Sequence, residues 1–205
     1  MTRPWQWAGK LVSSILLVWG MSAMAMDMAP ADVISTTADQ VIAAIKSDKA
    51  IRNGDRAEAY KLIEQKVLPH FDFTRMTRLA VGRYWRQASV DQQAQLISGF
   101  RDLLVRTYST SLSQYKDQVV QMKGTDLQDG DALVHTALVP SGGQPIPIDY
   151  SMEKMPDGWK VYDITVDGVS LVTNYRSEFG DVVRRDGVDG LIHSLDEKRK
   201  LAEKK

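Results

Sequence analysis

The spacing of apolar positions changes once along this chain. Over residues 30–116 they recur at helical intervals, and over residues 118–167 they alternate. A first helix is predicted at 31–46, where Val33, Ile34, Val41, Ile42 and Ile45 form a stripe. Asp55 with Glu58 opens a second helix, which carries Ala57, Tyr60, Ile63 and Val67 and stops before Pro69. A third, shorter helix is predicted at 74–85. The fourth starts at Ser89, which forms a capping box with Gln92, and Leu96, Phe100, Leu103, Leu104, Tyr108, Leu112 and Tyr115 follow at helical spacing over about 26 residues, roughly 39 Å.

The alternating half predicts strands at 118–123, 132–139, 146–154 and 159–167, separated by Asp129-Gly130, "PSGGQP" and "PDG". These connections are too short for crossover helices, so the strands must form an antiparallel meander. In the third strand Ile146, Ile148, Tyr150 and Met152 share one face, and Pro147, Asp149, Ser151 and Glu153 share the other. In the fourth, Tyr162, Ile164 and Val166 make the expected buried row. Two helices, 170–184 and 189–202, follow glycine turns. The fold class is α+β, a curved antiparallel four-stranded sheet covered on one face by helices, with a helical subdomain.

The chain has 205 residues, 43% of them hydrophobic, which suits one domain rather than two. Its first 25 residues stand apart: Arg3 and Lys10 flank Trp5 and Trp7, an apolar run covers 11–19, and Ala23-Met24-Ala25 matches the small-residue spacing of a cleavage site. The run is shorter than the about 20 residues that span a bilayer. Residues 1–25 are therefore expected to be a cleaved signal, leaving residues 26–205 as a soluble domain in the periplasm. There is no cysteine, hence neither a disulfide nor a lipid-bearing cysteine. Without Arg3 and Lys10 the 26 basic residues become 24 against 26 acidic ones, a formal net charge of −2. That gives no electrostatic case for nucleic acid.

Several motifs begin and fail. "YDITVDGVSLV" offers Asp163, Thr165 and Asp167 like a calcium loop, but loop positions 9 and 12 fall on Leu171 and Asn174, and a strand precedes it. As a carboxylate pair, Asp163 and Asp167 would stand about 13 Å apart along a strand, too far to share a proton. The expectation is a dispensable acidic row facing water, with Asp167-Gly168 turning the chain. His70, His135 and His193 have no metal-ligand spacing and read as isolated surface or edge residues. Ser170 in "GVSLV" lacks the second glycine of a nucleophile elbow and suits a helix N-cap. No catalytic or metal-ligating set emerges.

Arg75, Arg78, Arg83 and Arg86 fall within a helical arc of about 140°, opposite Met76, Ala80 and Tyr84. The arc is either a solvated face or a surface that meets anionic head groups or an acidic partner. The aromatic stripe of the fourth helix is either filled core or, with the tyrosine-bearing sheet face, the lining of a cavity. Periodicity does not separate these alternatives.

The order "VLPHFDFTRMTRLAVGRYWRQASVDQQAQLISGFRDLLVRTYSTSLSQY", then the meander, then "GWKVYDITVDGVSLVTNYRSEFGDVVRRDGVDGLIHSL" resembles the MlaC or toluene-tolerance family over residues 33–195. Its most specific parts are "VGRYWRQASVDQQAQLISGF" and the "YD", "GVS" and "GVDGL" series. The resemblance implies an NTF2-like cone that carries phospholipid as cargo, without a cofactor. It also implies a monomer that passes lipid between an outer-membrane lipoprotein complex and an inner-membrane MCE-ring ABC transporter, preserving outer-leaflet asymmetry. Related members are associated with hopanoids, and a small-substrate enzyme of the same cone is the opposing class.

The physics agrees with the missing motifs: two acyl chains expose about 30 methylenes, so crossing water naked would cost on the order of 24 kcal/mol. The expected lipid-binding residues are Tyr84, Phe100, Leu104, Tyr108, Leu112, Tyr115, Met122, Ile148, Tyr150, Met152, Tyr162 and Ile164. An enzyme would need a carboxylate on that face, whereas the sheet acids alternate onto the other.

The leader makes the first testable statement. Protein recovered from a bacterial periplasm should begin near Met26 and stay soluble without detergent, as intact-mass measurement checks. A full-length, membrane-bound chain would overturn it.

Overall fold

The structure, a computed structural model, describes residues 28–203 apart from 114 and 116. The expected signal segment and the side chain of Leu112 lie outside the described residues. Five helices come first: α1 (Pro30–Ser47), α2 (Lys49–Arg52), α3 (Arg56–Lys66), α4 (Phe73–Val81) and α5 (Val90–Ser113). The strands β1 (Val119–Gln128), β2 (Asp131–Val139), β3 (Ile146–Met155), β4 (Gly158–Val166) and β5 (Val169–Ser170) follow, and α6 (Leu171–Glu203) closes the chain. Short 3-10 turns at Leu68–His70 and Gly82–Gln87 flank α4.

Local chemistry explains the helix starts. Asp55 accepts from the amides of Ala57 and Glu58 at 2.9 and 3.2 Å, while Glu58 pairs with Lys61 instead of closing a box. Ser89 and Gln92 do close one: the Ser89 amide donates to Gln92 Oε1 at 2.8 Å and the Gln92 amide to Ser89 Oγ at 3.2 Å. The two C-terminal helices expected from the pattern are halves of α6, broken at Gly187, whose φ of 74° lies in the left-handed region.

The sheet is an antiparallel meander in the order β1-β2-β3-β4-β5, with one strand more than the pattern predicts. Two hairpins turn on Asp-Gly pairs with positive φ at both residues, Asp129-Gly130 (41° and 88°) and Asp167-Gly168 (49° and 79°). That geometry matches the right-handed twist of the flanking strands. The second hairpin creates β5, too short at two residues to show as an alternating run. β1 runs five residues beyond its expected end because the bulge between Met122 and Gly124 restores its pairing with β2.

A second bulge corrects the face assignment of β4. Ser151 pairs with Asp163 but Met152 pairs with Val161, so β4 holds one extra residue there. Val161, Ile164 and Val166 consequently share the apolar face, and Tyr162 leaves it. The expectation that Asp163 idles in water also fails. Its Oδ2 accepts from Ser170 Oγ at 2.6 Å, and its Oδ1 accepts from the amides of Val172 at 3.1 Å and Ile164 at 2.8 Å. Ser170 Oγ in turn accepts from the Thr173 amide at 3.0 Å, the N-cap role the sequence suggests. Asp167 is exposed in its turn, as expected.

Among the described residues the apolar side chains gather in three clusters. One joins α4, α5 and both halves of α6, where Phe100 meets Tyr175 and Phe179 edge-on at 5.0 and 5.1 Å. A second sets Val33 and Ile34 of α1 on Val134, Met152 and Val161 of the sheet. The third holds α1, α2 and α3 together through Ile45, Ile51, Ala59 and Leu62.

Asp163→Ala removes acceptors from the start of α6 and should cost about 2 kcal/mol in denaturant unfolding. Asp167→Asn, which tolerates positive φ, should leave the midpoint unchanged. Equal midpoints for the wild type and Asp163→Ala would contradict the capping role.

Candidate functional site

The three clusters enclose a gap, because the helices bridge the sheet instead of filling its apolar face. One chamber of about 380 Å³ is lined by Ile63 of α3, Phe73 and Met76 of α4, Leu104, Val105 and Tyr108 of α5, Ile148 of β3 and Val166 of β4, together with Leu68 and Leu171. A second, of about 370 Å³, lies under α1 and is lined by Ile34, Val41, Ile42 and Ile45 together with Val120 of β1 and Leu138 of β2. Val67, Phe71, Tyr150 and Ile164 line both, so the chambers are neighbours across one wall. Each has the size of a small-ligand pocket and a lining that is mostly hydrocarbon.

Of the expected lipid-binding residues, Leu104, Tyr108, Tyr115, Ile148, Tyr150 and Ile164 line these chambers. Phe100 and Met152 do not; both are fully buried in solid core. Tyr84 packs on the outside of the α4–α6 cluster under Arg83, and Met122 is exposed on edge strand β1. Tyr162, displaced by the bulge, lies under the Arg75 guanidinium, 3.5 Å from the ring centroid. A helical stripe wider than the cavity wall explains Phe100: the face that meets α6 is as apolar as the face that meets the void.

Of the shared wall the pattern found Tyr150 and Ile164 but missed Phe71. Phe71 and Phe73 alternate in "HFDF" after Pro69, and their rings stack at 5.7 Å. That pairing is a readable signal, though short segments between helices rarely announce a lining. The inner stripe of α1 was visible but is indistinguishable from ordinary core in one dimension.

The wall is fixed by a polar tie. The Asp72 amide donates to the Val161 carbonyl at 2.9 Å, and Asp72 Oδ1 accepts from the Arg75 amide at 2.9 Å. Arg75, on an arc expected to be either a solvated face or a surface for anionic head groups or an acidic partner, instead donates from Nη1 to Asp131 at 3.1 Å and to Glu153 at 2.7 Å. Burial raises the Glu153 pKa, the neighbouring Asp72 carboxyl raises it further, and Arg75 opposes both.

Polar groups are sparse in the chambers. Burial pushes the Tyr108 and Tyr150 hydroxyls up, and a hydrogen bond with Thr136 draws Tyr150 back. Tyr108 is 42% exposed, which places an amphipathic ring at the rim of the first chamber. In the second, Thr37, His70, Tyr115 and Gln118 bring the polar atoms. Burial and then the Lys160 charge push His70 down, favouring the neutral imidazole.

The other histidines are less isolated than expected. His135 bridges Asp149 at 2.8 Å and Asp126 at 3.2 Å away from the chambers, and His193 lines a polar groove between α5 and α6. Among the described residues no three His, Asp or Glu side chains converge as a metal site.

A family model described as MlaC protein matches residues 35–197. The toluene tolerance protein Ttg2D of Pseudomonas putida is 24% identical over 162 residues, 78% of this chain and 75% of its own. The intermembrane phospholipid transport system binding protein MlaC of Haemophilus influenzae is 21% identical over 174 residues, 82% of this chain and 81% of its own. A phospholipid-binding protein from Ralstonia solanacearum, solved in complex with a phospholipid, superposes with a TM-score of 0.80 at 38% identity, over 86% of this chain and 99% of that one.

Glu153 supplies a pH test. Its raised pKa means that the ionised form is disfavoured on folding, so its contribution to stability is present below the ordinary value of 4.5 and is lost as pH rises through the raised value. Glu153→Gln should match the wild type near about pH 4 and melt progressively higher than it toward about pH 7. A melting difference that does not change over that window would show that Glu153 is not strained.

Proposed function

Because the chain belongs to the MlaC family, we propose that it is a phospholipid carrier which encloses acyl chains in its two adjoining chambers. The observation that carries this is the pair of hydrocarbon-lined voids sharing the Phe71–Tyr150 wall, in a fold 38% identical to a protein solved with phospholipid bound. One acyl chain enters each chamber, and the glycerol and head group stay at the tyrosine-bearing rim. Among the described residues, those that line the first chamber include no carboxylate, imidazole, amine or aliphatic hydroxyl, which favours a wrapper over a catalyst.

In the finer reading, the carrier works as a soluble monomer in the periplasm, with lipid as cargo and no cofactor. It exchanges lipid between an outer-membrane lipoprotein complex and an inner-membrane MCE-ring ABC transporter, and so maintains outer-leaflet asymmetry. The family relationship and the expected leader support this, and no helix among the described residues is long and apolar enough to cross a membrane. Exchange is feasible because the chambers replace the hydrocarbon of a bilayer with hydrocarbon of the protein, so transfer between them is close to neutral.

Ile148→Glu tests the site. A carboxylate against acyl chain costs several kcal/mol unless it protonates or reaches water. Organic extraction and mass spectrometry should find about one diacyl lipid per wild-type chain and little in a folded Ile148→Glu variant. A lipid-free wild type would move the reading to a small-substrate enzyme, and equal loading would place the lipid elsewhere.

A further inference from the structure

Charge is segregated on this molecule in a way the lipid chambers do not use. Residues 73–90 contain four arginines and no acid, while residues 117–168, which hold the sheet, contain nine Asp and Glu against three Lys. The tie to Asp131 and Glu153 consumes Arg75. Arg78, Arg83 and Arg86 remain exposed on α4 and the turn after it.

Two arginines of α6 extend the same face. Exposed Arg176 donates from Nε to the Leu79 carbonyl at 2.7 Å, with its side chain against Gly82. Arg184 adjoins the Tyr84 hydroxyl and pairs with Asp181. Arg78, Arg83, Arg86 and Arg176 pair with no carboxylate among the described residues.

Like charges gathered on one short segment repel, so the patch is a standing cost unless something anionic meets it. The residues among the arginines narrow the choice. Arg83 stacks on Tyr84 at 4.9 Å and donates to its hydroxyl at 2.9 Å, and half-buried Trp85 follows. Arginine interleaved with tyrosine and tryptophan suits the zone where lipid head groups meet water. A stable protein interface wants an apolar centre, yet the one large apolar side chain exposed in this stretch is Val90, at 81%. A lone exposed valine beside cations suits shallow contact with a bilayer.

We propose that the face formed by Arg78, Arg83, Arg86 and Arg176 is a docking surface for anionic phospholipid bilayers. The attraction is electrostatic and reversible, and the acids of residues 117–168 add no positive charge that would draw the sheet to the same membrane. Each arginine near a charged surface contributes about 1 kcal/mol, so three neutralised together should lower membrane partitioning on the order of a hundredfold at low salt.

The test is vesicle flotation, with phosphatidylcholine vesicles compared with vesicles that also contain phosphatidylglycerol. Wild-type protein should float with the anionic vesicles only, and should be released by high salt. Arg78→Gln/Arg83→Gln/Arg86→Gln should lose flotation while keeping its extractable lipid, which separates failure of docking from failure of lipid carriage. The matching triple lysine variant should retain flotation.

Three results would overturn the proposal: wild-type protein with no preference for anionic vesicles, anionic binding indifferent to salt, or a folded glutamine variant that floats like the wild type. If wild-type protein ignores the vesicles but binds a polyglutamate peptide, the surface belongs to an acidic protein and the bilayer assignment is wrong.

Discussion

Arg75 joins the helical layer to the sheet beside the apolar face rather than across it, and the cavity depends on that placement. Its guanidinium lies over Tyr162 and reaches the carboxylates of Asp131 and Glu153, while Asp72 caps α4 and hydrogen-bonds β4. Partly buried ion networks add little net stability, because desolvation offsets much of their attraction. What this one supplies is position. With α4 held at the sheet edge, Phe71 becomes part of the partition between the two chambers.

A cavity of this kind opposes the general tendency of apolar side chains to close on each other. Dispersion and the hydrophobic effect both favour filling a void, and an empty one costs stability in proportion to its size. The chain resists collapse by completing three separate cores, each with its own contacts, around the gap. α6 serves this arrangement by bending at Gly187, so that Leu191 and Leu195 return onto α5 and complete the largest core without entering the cavity. An apolar ligand seated there would gain what collapse would have gained.

Charge is organised on a longer scale than packing. The arginines of residues 73–90 and the acids of residues 117–168 separate opposite charges along a chain that is near neutral as a whole. For the proposed docking surface this matters because screened electrostatics is strong at contact yet falls away within about 10 Å at moderate salt.

The sequence alone determined the order and type of the longer elements, though not α2 or β5: periodicity separated helices from strands, Asp129-Gly130 marked a hairpin, and Ser89, Asp55 and Ser170 announced helix starts. It also made the sheet greasy on one side and denied the chain a metal or nucleophile motif, since those signals lie within a few neighbouring residues. Only the tertiary structure decided which apolar residues face hydrocarbon of the protein and which face a void. Phe100 and Leu104 are one turn apart on the same stripe, yet one is solid core and the other lines a chamber. The bulge that removes Tyr162 from the apolar face, and the ties of Arg75 and Asp163 to distant partners, likewise depend on residues many positions away. A pattern records how apolar a position is, and only the placement of other elements against it determines what, if anything, fills the space beside it.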